Sequence, residues 1–161
     1  MDRALLATGG STEWETPNDF FETINGVFRF DIDVCATADN TKCERYFTKE
    51  QDGLSQDWLG TVWCNPPYGR NVEKWVSRAR DSRAINDATV VMLLPARTDT
   101  KWVHKYVFGS AHVIFLKGRL KFGGGGNSAP FPSMLAIWGG QAAAAKLLAD
   151  RLDGWLVIGR A

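Results

Sequence analysis

Cysteine is scarce in this chain and carries no metal pattern. Cys35, Cys43 and Cys64 form no C-x-x-C pair, and an odd count without such spacing fits free thiols in a reducing compartment. His104 and His112 are the only histidines, so no zinc site is expected. A charge excess is also lacking. The net charge is +1, which excludes a strongly basic nucleic-acid binder and leaves only a local basic patch for such a contact. No apolar run approaches the roughly 20 residues of a membrane span. The N-terminal stretch lacks the basic-then-apolar order of a secretory leader, so the cytoplasm is the expected location. No internal repeat is found.

What is present suits a globular α/β protein. The 161 residues are 45% hydrophobic and 23% charged, enough for one sizeable core. Seven tryptophans are many for this length; most belong to a core, and aromatic faces also suit a base-binding site. Residues 1–13 read as a flexible arm and residues 14–161 as one domain. Thr16-Pro17-Asn18-Asp19 reads as a helix start, with Thr16 as N-cap, Pro17 at the first helical position and Asp19 in the first turn. Phe20, Phe21 and Ile24 give that helix an apolar face, and Asn25-Gly26 is expected to stop it. Strands are predicted over residues 28–36, 61–64, 88–94, 111–117, 133–138 and 155–158. Helices are predicted after the Pro-Pro turn (Val72, Trp75, Val76 and Ala79 recur at helical spacing), over 101–108 and over 141–152. Residues 37–57 are polar and weakly periodic. Strands alternating with helices imply a largely parallel sheet, and ligands of such sheets bind at the carboxyl ends of strands.

Asn65-Pro66-Pro67-Tyr68 stands at such an end, directly after the apolar run Thr61-Val62-Trp63-Cys64. Asn65 precedes a proline and is pushed toward extended geometry. Pro66 and Pro67 have fixed φ and no N–H. The turn therefore offers carbonyl acceptors and almost no competing donors. An amino group has two N–H donors to place, and the Asn65 side-chain oxygen and the Pro66 carbonyl can take one each. Tyr68 offers a flat face for a heteroaromatic ring. The plain alternative is a Pro-Pro turn that ends a strand.

Taken in order, these segments resemble the S-adenosylmethionine-dependent DNA adenine-N6 methyltransferases, in particular the small phage Dam-type family with gamma-class motif order. The resemblance covers roughly residues 14–139. It implies a Rossmann-like methyltransferase fold of reduced size, with a mostly parallel sheet flanked by helices. It also implies S-adenosylmethionine as cofactor, double-stranded DNA as partner and, for a phage-encoded chain, the host cytoplasm. Asn65, Pro66, Pro67 and Tyr68 are then the catalytic turn. Asp33-Val34-Cys35-Ala36 is similar to the family's cofactor motif. Its acid faces the cofactor's ammonium group, and its small residues (Cys35, Ala36) let the backbone approach; the usual G-x-G that follows is missing. Thr16 and Pro17 match the opening Thr-Pro motif, which packs beside the cofactor carboxylate. Asp52-Gly53-Leu54 resembles the acidic turn at the cofactor's adenine, with Asp57 as competing candidate.

On the substrate side, Arg97 in the segment after the 88–94 strand faces a phosphate or an acidic partner across the cleft, or is a surface charge. Lys117, Arg119 and Lys121 alternate with Gly118, Leu120 and Phe122, placing cations on one face of an extended segment. That edge tracks phosphates, with Phe122 stacking on the target base, or is an edge strand protected by charge. Gly123–Gly126 lacks the Gly-Lys-Ser/Thr ending of a P-loop. Loops 97–104 and 123–132, or a homodimer partner, would supply sequence specificity. RNA adenine, DNA cytosine N4 and protein glutamine remain alternative acceptors, and an inactive DNA-binding relative is the alternative of another class.

Overall fold

The structure, a computed structural model, describes residues 14–124 and 128–160; the expected arm, residues 1–13, lies outside them. Six strands form one sheet: β1 (Ile32–Asp33), β2 (Thr61–Cys64), β3 (Thr89–Pro95), β4 (His112–Phe115), β5 (Ser133–Trp138) and β6 (Trp155–Val157), in the order β1-β2-β3-β5-β4-β6. Among the described residues, three helices flank it: α1 (Asn18–Phe28), α2 (Val72–Asn86) and α3 (Ala142–Leu152). The 101–108 segment ends in a π-helical stretch, Val103–Val107.

The strands alternate strictly between two apolar layers. Val90, Met92 and Leu94 of β3 join Val62, Cys64, Met134 and Trp138 on one face, against Trp75 and Val76 of α2. Val91 and Leu93 join Trp63, Leu135 and Ile137 on the other, against Ile24 of α1 and Leu148 of α3. With both faces covered, the strands read as continuous apolar runs.

The expectation of a mostly parallel sheet is corrected. β1–β2 and β2–β3 are parallel, whereas β3–β5, β4–β5 and β4–β6 are antiparallel. Parallel neighbours need a crossover, and α2 supplies one between β2 and β3. The β4–β5 link carries only a 3-10 turn among its described residues, and β5 returns antiparallel between β3 and β4. Strands β1 to β4 nevertheless all point the same way, so their carboxyl ends share one edge of the sheet with the start of β5.

Several local boundaries also differ. The α1 helix begins one residue later than expected, with Pro17 as N-cap and no side-chain cap; Thr16 is engaged elsewhere. It continues through Asn25-Gly26 to a left-handed Arg29, because the Asn25 side chain accepts from Phe30 N (2.8 Å) beyond the helix end instead of breaking it. The 28–36 strand shrinks to two residues, and Tyr46 bridges to Asp33 on the outer edge. Residues 116–121 form no strand. Gly118, at φ 73°, turns the chain there, so the cations do not lie on a regular strand, although Lys117, Arg119 and Lys121 are exposed while Leu120 is half-buried and Phe122 is buried.

Gly53 is the tightest point beside the carboxyl edge. Its carbonyl accepts from the buried Trp58 Nε1 (2.8 Å). A Cβ at this position would overlap the Val34 carbonyl oxygen and crowd the Trp75 ring at 3.2 Å. Gly53→Ala is expected to cost about 1–3 kcal/mol of stability, measurable as a lowered midpoint in urea. An unchanged midpoint would show that the turn can move away from β1.

Candidate active site

A cavity of about 450 Å³ opens at the carboxyl ends of β1 and β2. Residues of the β1 end, the 47–54 segment, the 65–67 turn and the 14–16 strap form its wall. Each is placed by a local cause. Asp33 ends β1, and its side chain holds the loop that follows: Oδ1 accepts from Cys35 N (3.2 Å) and Oδ2 from Lys42 N (3.0 Å). The returning 45–47 segment is zipped to the strand end by Asp33 N to Arg45 O, Phe47 N to Asp33 O and Ala36 N to Phe47 O. Asp52 sits left-handed at φ 51° and accepts from Leu54 N (3.3 Å), starting the Gly53–Ser55 turn.

Asn65 has the most informative environment. Its Nδ2 donates to the Trp14 carbonyl and to Thr16 Oγ1 (2.9 Å). Its Oδ1 is buried and has no hydrogen-bond partner among the described residues. The Trp14 carbonyl can only accept, which fixes the orientation of the amide. The 14–16 strap is itself held by Gly123 N donating to Glu15 O (2.9 Å) and by the Trp14 ring, edge-on to Phe122 and Phe131.

Thr16, Asp33, Cys35, Ala36, Asp52, Leu54, Asn65, Pro66 and Pro67 all line the cavity. Asp57 is not among the lining residues and pairs with Arg78 at 3.4 Å. Pro17 adjoins the cavity only through its neighbour. Tyr68 does not present an open face. It is 8% exposed, its hydroxyl donates to Leu93 O (3.0 Å), and its ring meets Phe131 and Phe122 edge-on. Burial also pushes its phenol pKa well up. Phe122 is buried in the same aromatic cluster. Arg97 is exposed just beyond β3. Lys117 pairs with Asp153 (3.2 Å), Arg119 reaches Ala129 O (3.4 Å), and Lys121 is exposed. The cavity also uses Trp14, Lys42, Phe47, Asn71, Lys74 and Trp75. None was singled out for this site from sequence. Trp75 carried only a helix-face signal, and the remaining five meet the site through loop geometry.

A family model described as DNA N-6-adenine-methyltransferase (Dam) matches residues 7–141. The chain belongs to the Dam family. Among curated relatives, the DNA N-6-adenine-methyltransferase of Haemophilus phage HP1 is 37% identical over 106 residues, covering 64% of this chain and 61% of that protein. The DNA N-6-adenine-methyltransferase of Escherichia phage T1 is 29% identical over 131 residues, covering 80% and 54%. The chain thus spans between half and two thirds of the length of these Dam-family relatives. Among the described residues, no helix is long and apolar enough to cross a membrane, and no group of three or more His, Cys, Asp or Glu could hold a metal ion.

Asp33 titrates unusually. Burial raises its carboxyl to about 6, against the opposing pull of the Lys42 and Cys35 N–H groups and the Lys42 ammonium. A raised carboxyl binds its proton more tightly in the folded state. Its contribution to stability is therefore complete below the ordinary value of 3.8 and is lost as pH rises through about 6. The loss is on the order of 2–3 kcal/mol. Urea titrations between pH 4 and 7 should show this decline in the wild type and a flatter profile in Asp33→Asn. Parallel profiles would remove Asp33 as the cause.

Proposed function

We propose that this chain transfers a methyl group from S-adenosylmethionine to the N6 amino group of an adenine flipped out of double-stranded DNA. The observation that carries the reading is the Asn65 amide: both donors are committed inside the protein, and its buried acceptor has no partner among the described residues, on a residue that lines the cavity. An aromatic amino group brings the donors that such an acceptor lacks.

The cavity suits the cofactor in size and chemistry. About 450 Å³ lies within the roughly 300–1,000 Å³ of small-molecule sites. The buried Asp33 carboxylate suits an ammonium group, the Asp52 carboxylate an adenine amino group, and Leu54, Phe47 and Trp75 give apolar walls for a ring. S-adenosylmethionine, when bound, supplies an electrophilic methyl group on a sulfonium.

The chain's own residues account for the rest. Asn65 Oδ1 and the Pro66 carbonyl accept the two N–H groups of the target amine. Held this way, the nitrogen is drawn out of conjugation with its ring, and its lone pair turns toward the cavity. The gain is orientation and a fixed field around dispersing positive charge. No strong general base is needed, because the methylated, cationic nitrogen is acidic enough to release its proton to solvent. Flipping the base costs a few kcal/mol. Stacking on Tyr68 returns about 1–3 kcal/mol once the Phe122 and Phe131 rings that cover it give way. Arg97 and Lys121, exposed near the same sheet edge, suit phosphate contacts that position the duplex.

The test is transfer of labelled methyl from S-adenosylmethionine to unmethylated duplex DNA, followed by nucleoside analysis. N6-methyladenine is expected. Asn65→Ala should lower the rate by about 100-fold or more while the cofactor Kd changes little. Label in cytosine, RNA or protein would reassign the acceptor, and a mutant with most of its activity would refute the role of Asn65.

The pH dependence of cofactor binding gives a second check. If Asp33 meets the cofactor's ammonium group, the ionised carboxylate binds it better. Affinity should then rise with pH up to about 6 and level off above it, changing by up to about tenfold per pH unit on the acid side. Calorimetric titrations from pH 5 to 8 would show this, and a flat profile would place the ammonium group elsewhere.

A further inference from the structure

Primary amides have two near-isosteric orientations. Only one of them presents an acceptor to an incoming amine; the other opposes donor to donor. The proposed reaction therefore needs something to hold Asn65 in one orientation, and the proline turn cannot do it, because Pro66 and Pro67 have no N–H. The strap of residues 14–16 can. The Trp14 carbonyl and Thr16 Oγ1 receive the two N–H groups of Nδ2, and flipping the amide would set Oδ1 against the Trp14 carbonyl oxygen. Thr16 is 3% exposed and lies 49 residues before Asn65. It caps no helix, so helix formation does not explain its hydroxyl. The strap's position is fixed in turn by the Glu15–Gly123 hydrogen bond and by Trp14 packed against Phe122 and Phe131.

We propose that Thr16 is a positioning residue: with the Trp14 carbonyl, its hydroxyl holds the Asn65 amide so that Oδ1 faces the target amino group. This rests on the methyl-transfer reading above and differs from the expectation that the Thr-Pro segment serves the cofactor carboxylate. It also makes the strap a mechanical link between the segment around Phe122 and the catalytic turn.

The experiment compares the full wild-type chain with Thr16→Val, which keeps the shape and loses the hydroxyl, and Thr16→Ser, which keeps the hydroxyl. In steady-state methyl transfer, Thr16→Val is expected to lower kcat by about 10- to 100-fold, with the cofactor Kd and the KM for DNA within about threefold of wild type. Thr16→Ser should restore most of kcat. In NMR spectra, the Asn65 side-chain N–H protons should exchange with solvent faster in Thr16→Val than in wild type. An unchanged kcat overturns the proposal, and so does a loss of cofactor affinity that matches the loss of rate. If the wild type transfers no methyl to DNA, the proposed reaction itself fails. The exchange measurement then decides the geometry alone, and equal exchange in wild type and Thr16→Val overturns the positioning role. If Thr16→Val does not fold, the Thr16→Ala variant takes its place in both arms.

Discussion

The constraint on which the site depends is a buried amide with an unbalanced hydrogen-bond account. Asn65 gives both donors to the strap at Trp14 and Thr16 and keeps a buried acceptor without a partner. Leaving a buried polar atom unsatisfied costs about 1–3 kcal/mol. The two charge-free donor bonds and the rigid Pro66-Pro67 turn hold the amide in place against that cost. A ligand that donates to Oδ1 recovers it, so the same imbalance favours a ring that carries an N–H donor over one that has no donor.

The proposed cofactor side is governed by the opposite tension. Asp33 is buried enough for desolvation to raise its pKa, yet both of its oxygens accept backbone N–H groups that stabilise the charged form. The carboxylate therefore has two tasks. It closes the 34–42 loop, and it keeps negative charge at the wall of the cavity. The Tyr46 bridge and the 45–47 hydrogen bonds close the edge of the sheet that the shortened stretch would otherwise leave open. After β1 the chain thus turns through a loop capped by the Asp33 side chain, not through a glycine turn.

How much of this could be read from the chain depended on how local the cause was. The β2, β3 and β5 strands and the α2 helix follow from apolar runs and helical spacing that no distant contact alters. The direction of β5 was not legible, because a strand buried on both faces carries the same pattern either way. Asn65 was legible from the strand end and turn chemistry, whereas Asp33 and Asp52 were picked out by their resemblance to the family's motifs; the structure brings all three to one cavity. The burial of Tyr68 and Phe122 was not, because an aromatic ring after a strand packs inward or faces a ligand with the same letters. Thr16 illustrates the limit best. Its sequence context is a good helix cap, but a partner 49 residues away outbids the local one.

The mixed topology explains why these parts meet at all. Because β1 to β4 point one way, their carboxyl ends lie along one edge. The order β1-β2-β3-β5-β4 then sets a lateral sequence: cofactor-side loops after β1, the Asn65 turn after β2, Arg97 after β3, and the Phe131 and Phe122 segments at β5 and β4. A fully parallel arrangement would require a helical crossover between β4 and β5. The antiparallel return instead leaves the described parts of that link, residues 116–124 and 128–132, free to fold over the edge, where Gly123 reaches the strap at Glu15 and Phe122 and Phe131 cover Tyr68. In the proposed reaction, a base entering beside Tyr68 must displace these rings, and through Trp14 they touch the strap that orients Asn65. Base entry and alignment of the acceptor are therefore parts of one packing problem, and the antiparallel β5 is what brings them into contact.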